Sequence, residues 1–384
     1  MGTPVVTVRT ITPEVHLRWL RTQPSASFLQ TPAWGRLKDE WRSESLGWYA
    51  GDRLVGVGLV LYRQIPVLRR HLAYLPEGPA MARTAATGDP GPVGAWPALM
   101  EVLRPLRDHV RAKGAFALRI GPPVVTRRWS AATVKDAIAD PAVHSLTDVG
   151  ADVTEEDGVR MVTGLERLGF THLAAEDGFS VGQPQFVFQV PLAGRTEAEL
   201  LAGMNQLWRR NIKKSAKLGV QVSRGTAADL PAFHAVYLET AARDGFTPRP
   251  LAYFQRMFEE MLAEDPDRIR LYLARHDGDL VAATTWVRVG GHVWYSYGAS
   301  TSAKREVQGS TAVQWQMIRD ARSAGASVYD LRGITDTISE DDPHLGLVRF
   351  KVGTGGEAVE YVGEWDLPLR RVLHAAFRFY MGRR

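Results

Sequence analysis

The stretch Ile269-Arg270-Leu271-Tyr272-Leu273-Ala274, followed by Asp277-Gly278 and the run Leu280 to Val289, decides the fold. Apolar and β-branched runs of this length, bounded by turn pairs, read as strands, and Asp-Gly between two of them is a tight-hairpin signal. Gly290-Gly291 makes the next turn, and His292 to Tyr297 a third strand. A helical pattern over about 308–323 is stopped by Gly325, and Val328 to Leu331 is again a strand. The grammar is therefore antiparallel strands, one helix, then a strand that can return parallel.

Working outward, the first half repeats it. Gly47-Trp48-Tyr49-Ala50 runs into the turn Gly51-Asp52, and strand patterns follow at Leu54 to Tyr62 and His71 to Leu75. A helical pattern over about 94–113 is stopped by Gly114, and Phe116 to Ile120 closes the unit as a strand. Each half also has a helix–glycine–strand prelude, at Glu155 to Leu168 with Gly169 and at Asn205 to Leu218 with Gly219. This order resembles the acetyltransferase (GNAT-like) fold. Its recurrence predicts an α/β (α+β) protein of two tandem GNAT-like acyltransferase domains, with mixed, mostly antiparallel sheets flanked by helices.

The 384 residues suit two domains, each with its own core, and 45% hydrophobic with 23% charged residues is ordinary globular composition. Leu54 to Tyr62 is far too short to span a membrane, and residues 1–20 lack a basic start followed by an apolar core, so no secretory leader is expected. With no cysteine in the chain, disulfides, thiolate metal sites and a cysteine nucleophile are excluded, which fits a reducing cytosol. Net charge is +5, but it is unevenly spread. Between Leu200 and Ala228 stand Arg209, Arg210, Lys213, Lys214, Lys217 and Arg224 with no acid, and the tail from Arg370 to Arg384 adds five arginines with no acid. Such segments either form solvated helix faces or meet an anionic partner.

Familiar catalytic sets are missing. The histidines show no metal-ligand spacing, and there is no nucleophile elbow, Walker loop or dinucleotide fingerprint, so neither metal nor cofactor is expected. His344 beside Asp341 and Asp342 reads as a solvated loop residue more readily than as an acid–base group. The GNAT-like order invites a coenzyme A test, and the place for the pyrophosphate loop reads Glu306-Val307-Gln308-Gly309-Ser310-Thr311-Ala312. An acid stands there where a donor is needed. Pro90-Gly91-Pro92 in the first half is no better. Transfer remains feasible without nucleophile or metal, by holding a reactive ester against an amine and stabilising the oxyanion.

Two segments are the most specific: Asn205-Gln206-Leu207-Trp208-Arg209-Arg210-Asn211-Ile212-Lys213-Lys214 and Gly346-Leu347-Val348-Arg349-Phe350-Lys351-Val352-Gly353-Thr354-Gly355-Gly356-Glu357. With Gln30-x-x-x-Trp34-x-x-x-Lys38, Tyr74-Leu75-Pro76-Glu77-Gly78-Pro79, Tyr297-Gly298-Ala299-Ser300 and Tyr329-Asp330-Leu331-Arg332-Gly333, they make the chain resemble the Fem (FemABX) peptidoglycan-bridge aminoacyltransferases over nearly its whole length. The resemblance implies a first domain at 1–185 completed by a returning tail at 358–384, and a second at 186–357. It implies an aminoacyl-tRNA donor of a small amino acid. The acceptor it implies is the position-three side-chain amine of a peptidoglycan stem peptide, in UDP-MurNAc-pentapeptide or lipid II.

Carried over by motif, Lys351 and Phe350 stand at the reaction centre, where a lysine can steady the oxyanion. Lys38, Arg249 and Tyr253 correspond to precursor-holding residues, with Tyr297 and Arg305 as further substrate contacts. The four-residue spacing puts Arg249 and Tyr253 on one helix face, and Lys351 lies in an apolar-flanked, strand-like run. Arg209, Arg210, Lys213, Lys214 and Lys217 on one helix suit tRNA phosphates. Each has a structural alternative: a surface lysine beside Trp34 and Trp41, an Arg249–Asp244 loop pair, or core packing for Tyr253 and Tyr297. One departure stands out. Leu118-Arg119-Ile120-Gly121-Pro122-Pro123 carries glycine where the family usually has aspartate before proline.

In the tail, Leu369, Val372, Leu373, Ala376, Phe377 and Tyr380 form one stripe of an amphipathic basic helix. It either packs on the first domain or touches the inner face of the membrane from the cytoplasm. The competing functions are a Fem-like transferase acting on a natural-product amine, an acyl-CoA N-acyltransferase, and an RNA- or membrane-binding module.

Overall fold

The computed structural model describes residues 5–65, 69–82, 99–173 and 182–381. In chain order its elements begin β1 (Val6–Thr10), α1 (Pro13–Leu20), α2 (Pro32–Leu37), β2 (Arg42–Ala50), β3 (Arg53–Gln64), β4 (His71–Leu75), β5 (Ala80–Met81), α3 (Leu99–Ala112), β6 (Ala115–Ile120) and β7 (Val125–Ser130). Next come α4 (Ala131–Ala139), β8 (Val153–Thr154), α5 (Glu156–Arg167), β9 (Thr171–His172), β10 (Phe186–Pro191), α6 (Glu197–Gly203), α7 (Gln206–Lys217), β11 (Gln221–Gly225), α8 (Leu230–Asp244) and α9 (Leu251–Glu264). The chain finishes with β12 (Ile269–His276), β13 (Asp279–Val289), β14 (His292–Ser300), α10 (Gly309–Ser323), β15 (Val328–Gly333), α11 (Leu345–Val352), β16 (Glu357–Tyr361), β17 (Trp365–Pro368) and α12 (Arg371–Met381). Contacts group these elements into two compact units: 1–128 with 153–185 and 360–384, and 129–152 with 186–359.

In the first unit the sheet order is β1-β2-β3-β4-β6-β17-β9, with β5 beside β3. Strands β1 to β4 are antiparallel neighbours, and β6 returns parallel to β4 after helix α3. Residues 94–98 of the expected helix, and Pro90-Gly91-Pro92, lie outside the described residues. Leu46, Trp48, Val102, Leu106, Leu118 and Leu165 lead its core. Strand β17 sits between β6 and β9, antiparallel to both.

The second unit repeats the plan. Strands β11 to β14 are antiparallel, α10 crosses, and β15 returns parallel to β14 before pairing with β10. The Asp277-Gly278 hairpin has φ 50° and 84° at its two central residues, the mirror-image turn that matches strand twist. Its core gathers Trp129, Phe188, Tyr272, Trp286, Ile318 and Tyr329. The tandem GNAT-like architecture expected from the turn grammar is what the chain adopts.

Three local expectations are corrected. The run around Phe350-Lys351 is helix α11, because Leu345, Val348 and Val352 bury at helical spacing. Helix α9 starts at Leu251 with Pro250 as its cap, so Arg249 precedes the helix and does not share a helical face with Tyr253. In α12 the apolar stripe divides: Leu373 and Phe377 pack on Leu72, Phe116 and Ala117, whereas Val372 is 82% exposed. Arg383 and Arg384, and the side chain of Tyr380, lie outside the described residues. Among the described residues no helix is long and apolar enough to cross a membrane, and no group of side chains has metal-ligating geometry.

Candidate active site

Strand β15 supplies the first part of the site. Asp330 is 1% exposed and accepts hydrogen bonds from Gln189 Nε2 at 3.0 Å and from the backbone N–H of Arg332 at 2.6 Å, with His292 Nε2 at 3.3 Å. Burial alone raises its pKa, but these bonds and the charges of His292 and Arg332 hold it below the usual carboxylate range. Arg332 has φ 63°, a left-handed kink that ends the strand. Beyond the kink, Lys351 Nζ donates to the carbonyl of Gly333 at 2.5 Å and to that of Arg332 at 3.4 Å.

Lys351 is only 3% exposed. Burial lowers its pKa to about 7, the Asp330 charge opposing and the Arg332 charge reinforcing that fall. A lysine that gains or loses its charge near neutrality, held on carbonyls by three-donor geometry, can place a proton or a positive charge on an oxyanion. The parallel ladder between β14 and β15 has only three pairs, ending at Trp294–Asp330, while both strands run on.

Helix α11 also ties in the basic helix. Phe350 packs its ring against Trp208 of α7 with centroids 4.8 Å apart, and its carbonyl accepts from Trp208 Nε1 at 2.8 Å. Asn205 caps α7 by accepting from the Trp208 N–H at 2.9 Å. The glycine run after α11 follows from close packing on α6, α7 and β10. A Cβ on Gly353 would overlap the Trp208 indole, and one on Gly355 the carbonyl of Gly203.

Trp208 and Ser215 bury the inner face of α7, leaving Arg210, Lys213, Lys214 and Lys217 exposed. Arg209 is half-buried, and its Nη1 donates to the carbonyls of Ala202 (3.0 Å) and Met204 at the end of α6, a structural engagement that the sequence does not reveal.

A second cluster lies in the same unit. The Tyr297 hydroxyl donates to that of Tyr253 at 3.2 Å, and the Arg249 guanidinium lies 5.3 Å from the Tyr253 ring centroid. Asp244 is taken by Arg243 at 2.8 Å, which removes the alternative loop pair for Arg249. Arg249 is exposed, and the two tyrosines are half-buried against Phe254, whose ring stands 5.0 Å from that of Tyr297. Arg305 is exposed on the turn before α10. There Gln308 has φ 64°, and Gly309 is buried so closely that a Cβ would stand 2.7 Å from Val281 Cγ2. In the first unit, Lys38 caps α2 with Nζ 5.0 Å from the Trp34 ring centroid. His344 bonds Asp342 at 3.1 Å at the start of α11.

Asp330, His292, Gln189 and Trp208 received no role from the sequence. Asp330 and Trp208 stand inside the quoted motifs, but the 141-residue separation of Gln189 from Asp330 leaves no local signal.

The fold is that of acyltransferases: an acetyltransferase (GNAT) domain model matches residues 205–357. The FemAB family model matches residues 11–280, and the chain belongs to that family. The lipid II:glycine glycyltransferase of Staphylococcus haemolyticus (strain JCSC1435) is 23% identical, the match covering 95% of this chain and 93% of that protein. That of Staphylococcus aureus (strain MRSA252) is 22% identical with the same coverage. Among solved structures, FemX superposes with a TM-score of 0.78 at 20% identity, covering 96% of this chain and 99% of that one. The C-terminal domain of a putative lysylphosphatidylglycerol synthetase from Agrobacterium fabrum gives 0.51 at 11% identity. These structural likenesses speak for the fold.

Proposed function

We propose that the protein moves a small amino acid from an aminoacyl-tRNA to the position-three side-chain amine of a peptidoglycan stem peptide, in UDP-MurNAc-pentapeptide or lipid II, building a cross-bridge. The observation that carries this is Lys351, a buried lysine with a pKa lowered to about 7, at the kinked end of β15. Membership of the FemAB family and relatives named as lipid II:glycine glycyltransferases support the same reading.

In this reading the second unit works on the ester. Lys351 steadies the tetrahedral oxyanion or the leaving ribose oxygen, and Phe350 lines the reacting group. Arg210, Lys213, Lys214 and Lys217 meet tRNA phosphates, while Arg249, Tyr253 and Tyr297 hold the precursor. Arg305 is a further substrate contact. Exposed Val372 with Arg371 and Arg378 on α12 serves contact with the inner membrane surface.

The test is to incubate the protein with a pool of charged tRNAs and either muramyl-pentapeptide or lipid II, then weigh the product. A gain of one or more aminoacyl masses on the stem peptide is expected. Transfer from acyl-CoA with none from charged tRNA overturns the reading.

A further inference from the structure

Strand β15 carries one residue more than its partner can match. Its pairing with β10 runs from Gln189–Asp330 to Val187–Gly333, so Leu331 and Arg332 together stand opposite Phe188. The extra residue makes a bulge, a device that re-aims the groups beside it. Arg332 sits in it at φ 63°, a backbone conformation that a residue with a Cβ adopts only at a cost. Neighbouring groups must hold such a bulge closed.

Asp330 does so, with a separate task for each carboxylate oxygen. Oδ1 accepts from the backbone N–H of Arg332 at 2.6 Å, the turn that an aspartate makes with its own chain two residues on. Oδ2 accepts from Gln189 Nε2 at 3.0 Å, and His292 Nε2 lies 3.3 Å from it. The His292 ring is itself stacked on Trp294, with centroids 4.0 Å and planes 10° apart. One carboxylate thus joins β10, β14 and β15 where β15 bends. Beyond the bend, the carbonyls of Arg332 and Gly333 both accept from Lys351 Nζ, at 3.4 and 2.5 Å. All of these residues belong to the second unit.

We propose that Asp330 is a positioning residue for the transfer, closing the bulge that turns these two carbonyls onto Lys351 and so fixing where its ammonium points. This rests on the aminoacyl-transfer reading above, in which Lys351 meets the oxyanion. An ammonium has three donors, and with two spent on carbonyls the third has a set direction. The carboxylate also acts through its charge. Burial lowers the Lys351 pKa to about 7, the charge of Asp330 opposing that fall and that of Arg332 adding to it. Bonds and charges from His292 and Arg332, with the Gln189 bond, keep Asp330 itself ionised against its burial.

A residue that acts only through Lys351 loses its effect once the lysine is gone, so a double-variant cycle is the test. Transfer is followed across a pH series in wild type, Asp330→Asn, Asp330→Ala, Lys351→Ala, and each Asp330 variant combined with Lys351→Ala. Asp330→Asn keeps an oxygen for the Arg332 N–H and drops the charge, and should move the alkaline limb of kcat down by about one pH unit. Asp330→Ala also frees the bulge and should lower kcat about 10²-fold at every pH, with the KM for charged tRNA little changed. Neither should add to Lys351→Ala. Losses that multiply overturn the proposal, as does near wild-type turnover in a folded Asp330→Ala. Carbon-13 NMR of labelled lysine side chains, with Lys351→Ala assigning the signal, reads the Lys351 titration midpoint without tRNA. The midpoint should fall in Asp330→Asn, and an unchanged one overturns the proposal whether or not Asp330→Ala folds. A fall in a protein that transfers nothing keeps the Asp330–Lys351 coupling and sinks the transfer reading alone.

Discussion

The indole N–H of Trp208 bonds the carbonyl of Phe350 at 2.8 Å, so the basic helix α7 and the lysine-bearing helix α11 are fastened side by side. Trp208→Ala should destabilise the second unit by about 3–5 kcal/mol, as large aromatic truncations in cores do. Urea unfolding read by fluorescence checks this. Trp208→Phe should keep much of the packing and lose mainly the hydrogen bond, about 1 kcal/mol.

Lys351→Ala should depress turnover about 10²–10³-fold while precursor affinity survives. The sign of the pH effect follows from its lowered pKa. If the charged form acts, kcat falls as pH rises through about 7, and Lys351→Arg moves that limb to higher pH. A flat wild-type profile above pH 7 would remove the lysine's charge from the mechanism.

Arg249→Ala and Tyr297→Phe should act chiefly on precursor binding, raising KM about tenfold with kcat within about threefold. Calorimetric titration of the precursor against each variant is the check, with melting temperature as the control for folding.

Reversing charge at Arg210 and Lys214 should weaken tRNA binding and flatten its salt dependence by roughly 0.7–0.9 in slope per lost contact. Arg209→Ala should instead show mainly in stability, because its guanidinium holds the end of α6. Filter binding across a salt series separates the two.

The Arg119–Asp366–His374 cluster predicts acid sensitivity of the first unit. Burial alone raises the Asp366 pKa, yet the bonds and charges of His374 and Arg119 hold it below the usual range. A depressed carboxylate stabilises above its unfolded pKa, and that stability is lost as pH falls toward the folded value. Asp366→Asn should therefore cost about 3–5 kcal/mol at neutral pH and blunt the acid dependence of melting between about pH 4 and lower values.

How much was legible follows from how local each signal is. Asp277-Gly278 declared its hairpin because φ 50° and 84° are conformations that those residues tolerate, and Gly325 stopped α10 at φ 74° for the same reason. Val348-Arg349-Phe350-Lys351-Val352 alternates like a strand, but burial of Leu345, Val348 and Val352 on one side makes it a helix. The lysine was readable and its surroundings were not: Asp330 gains its partners from β10 and from the start of β14, and Arg332 reveals its kink only in three dimensions. Arg209 looked like its neighbours because composition cannot separate a guanidinium facing solvent from one closing the end of a preceding helix.

Strand β17 occupies the slot between β6 and the short edge strand β9 in the sheet of the first unit. A nascent chain that has delivered everything up to Tyr361 still has an open seam there, whereas the strands from β10 to β15 of the second unit have already emerged. The second unit can thus mature during translation while the first waits for its last strand, and ribosomes stalled short of Trp365 would release a sheet whose β6 edge is exposed for chaperones or proteases to find.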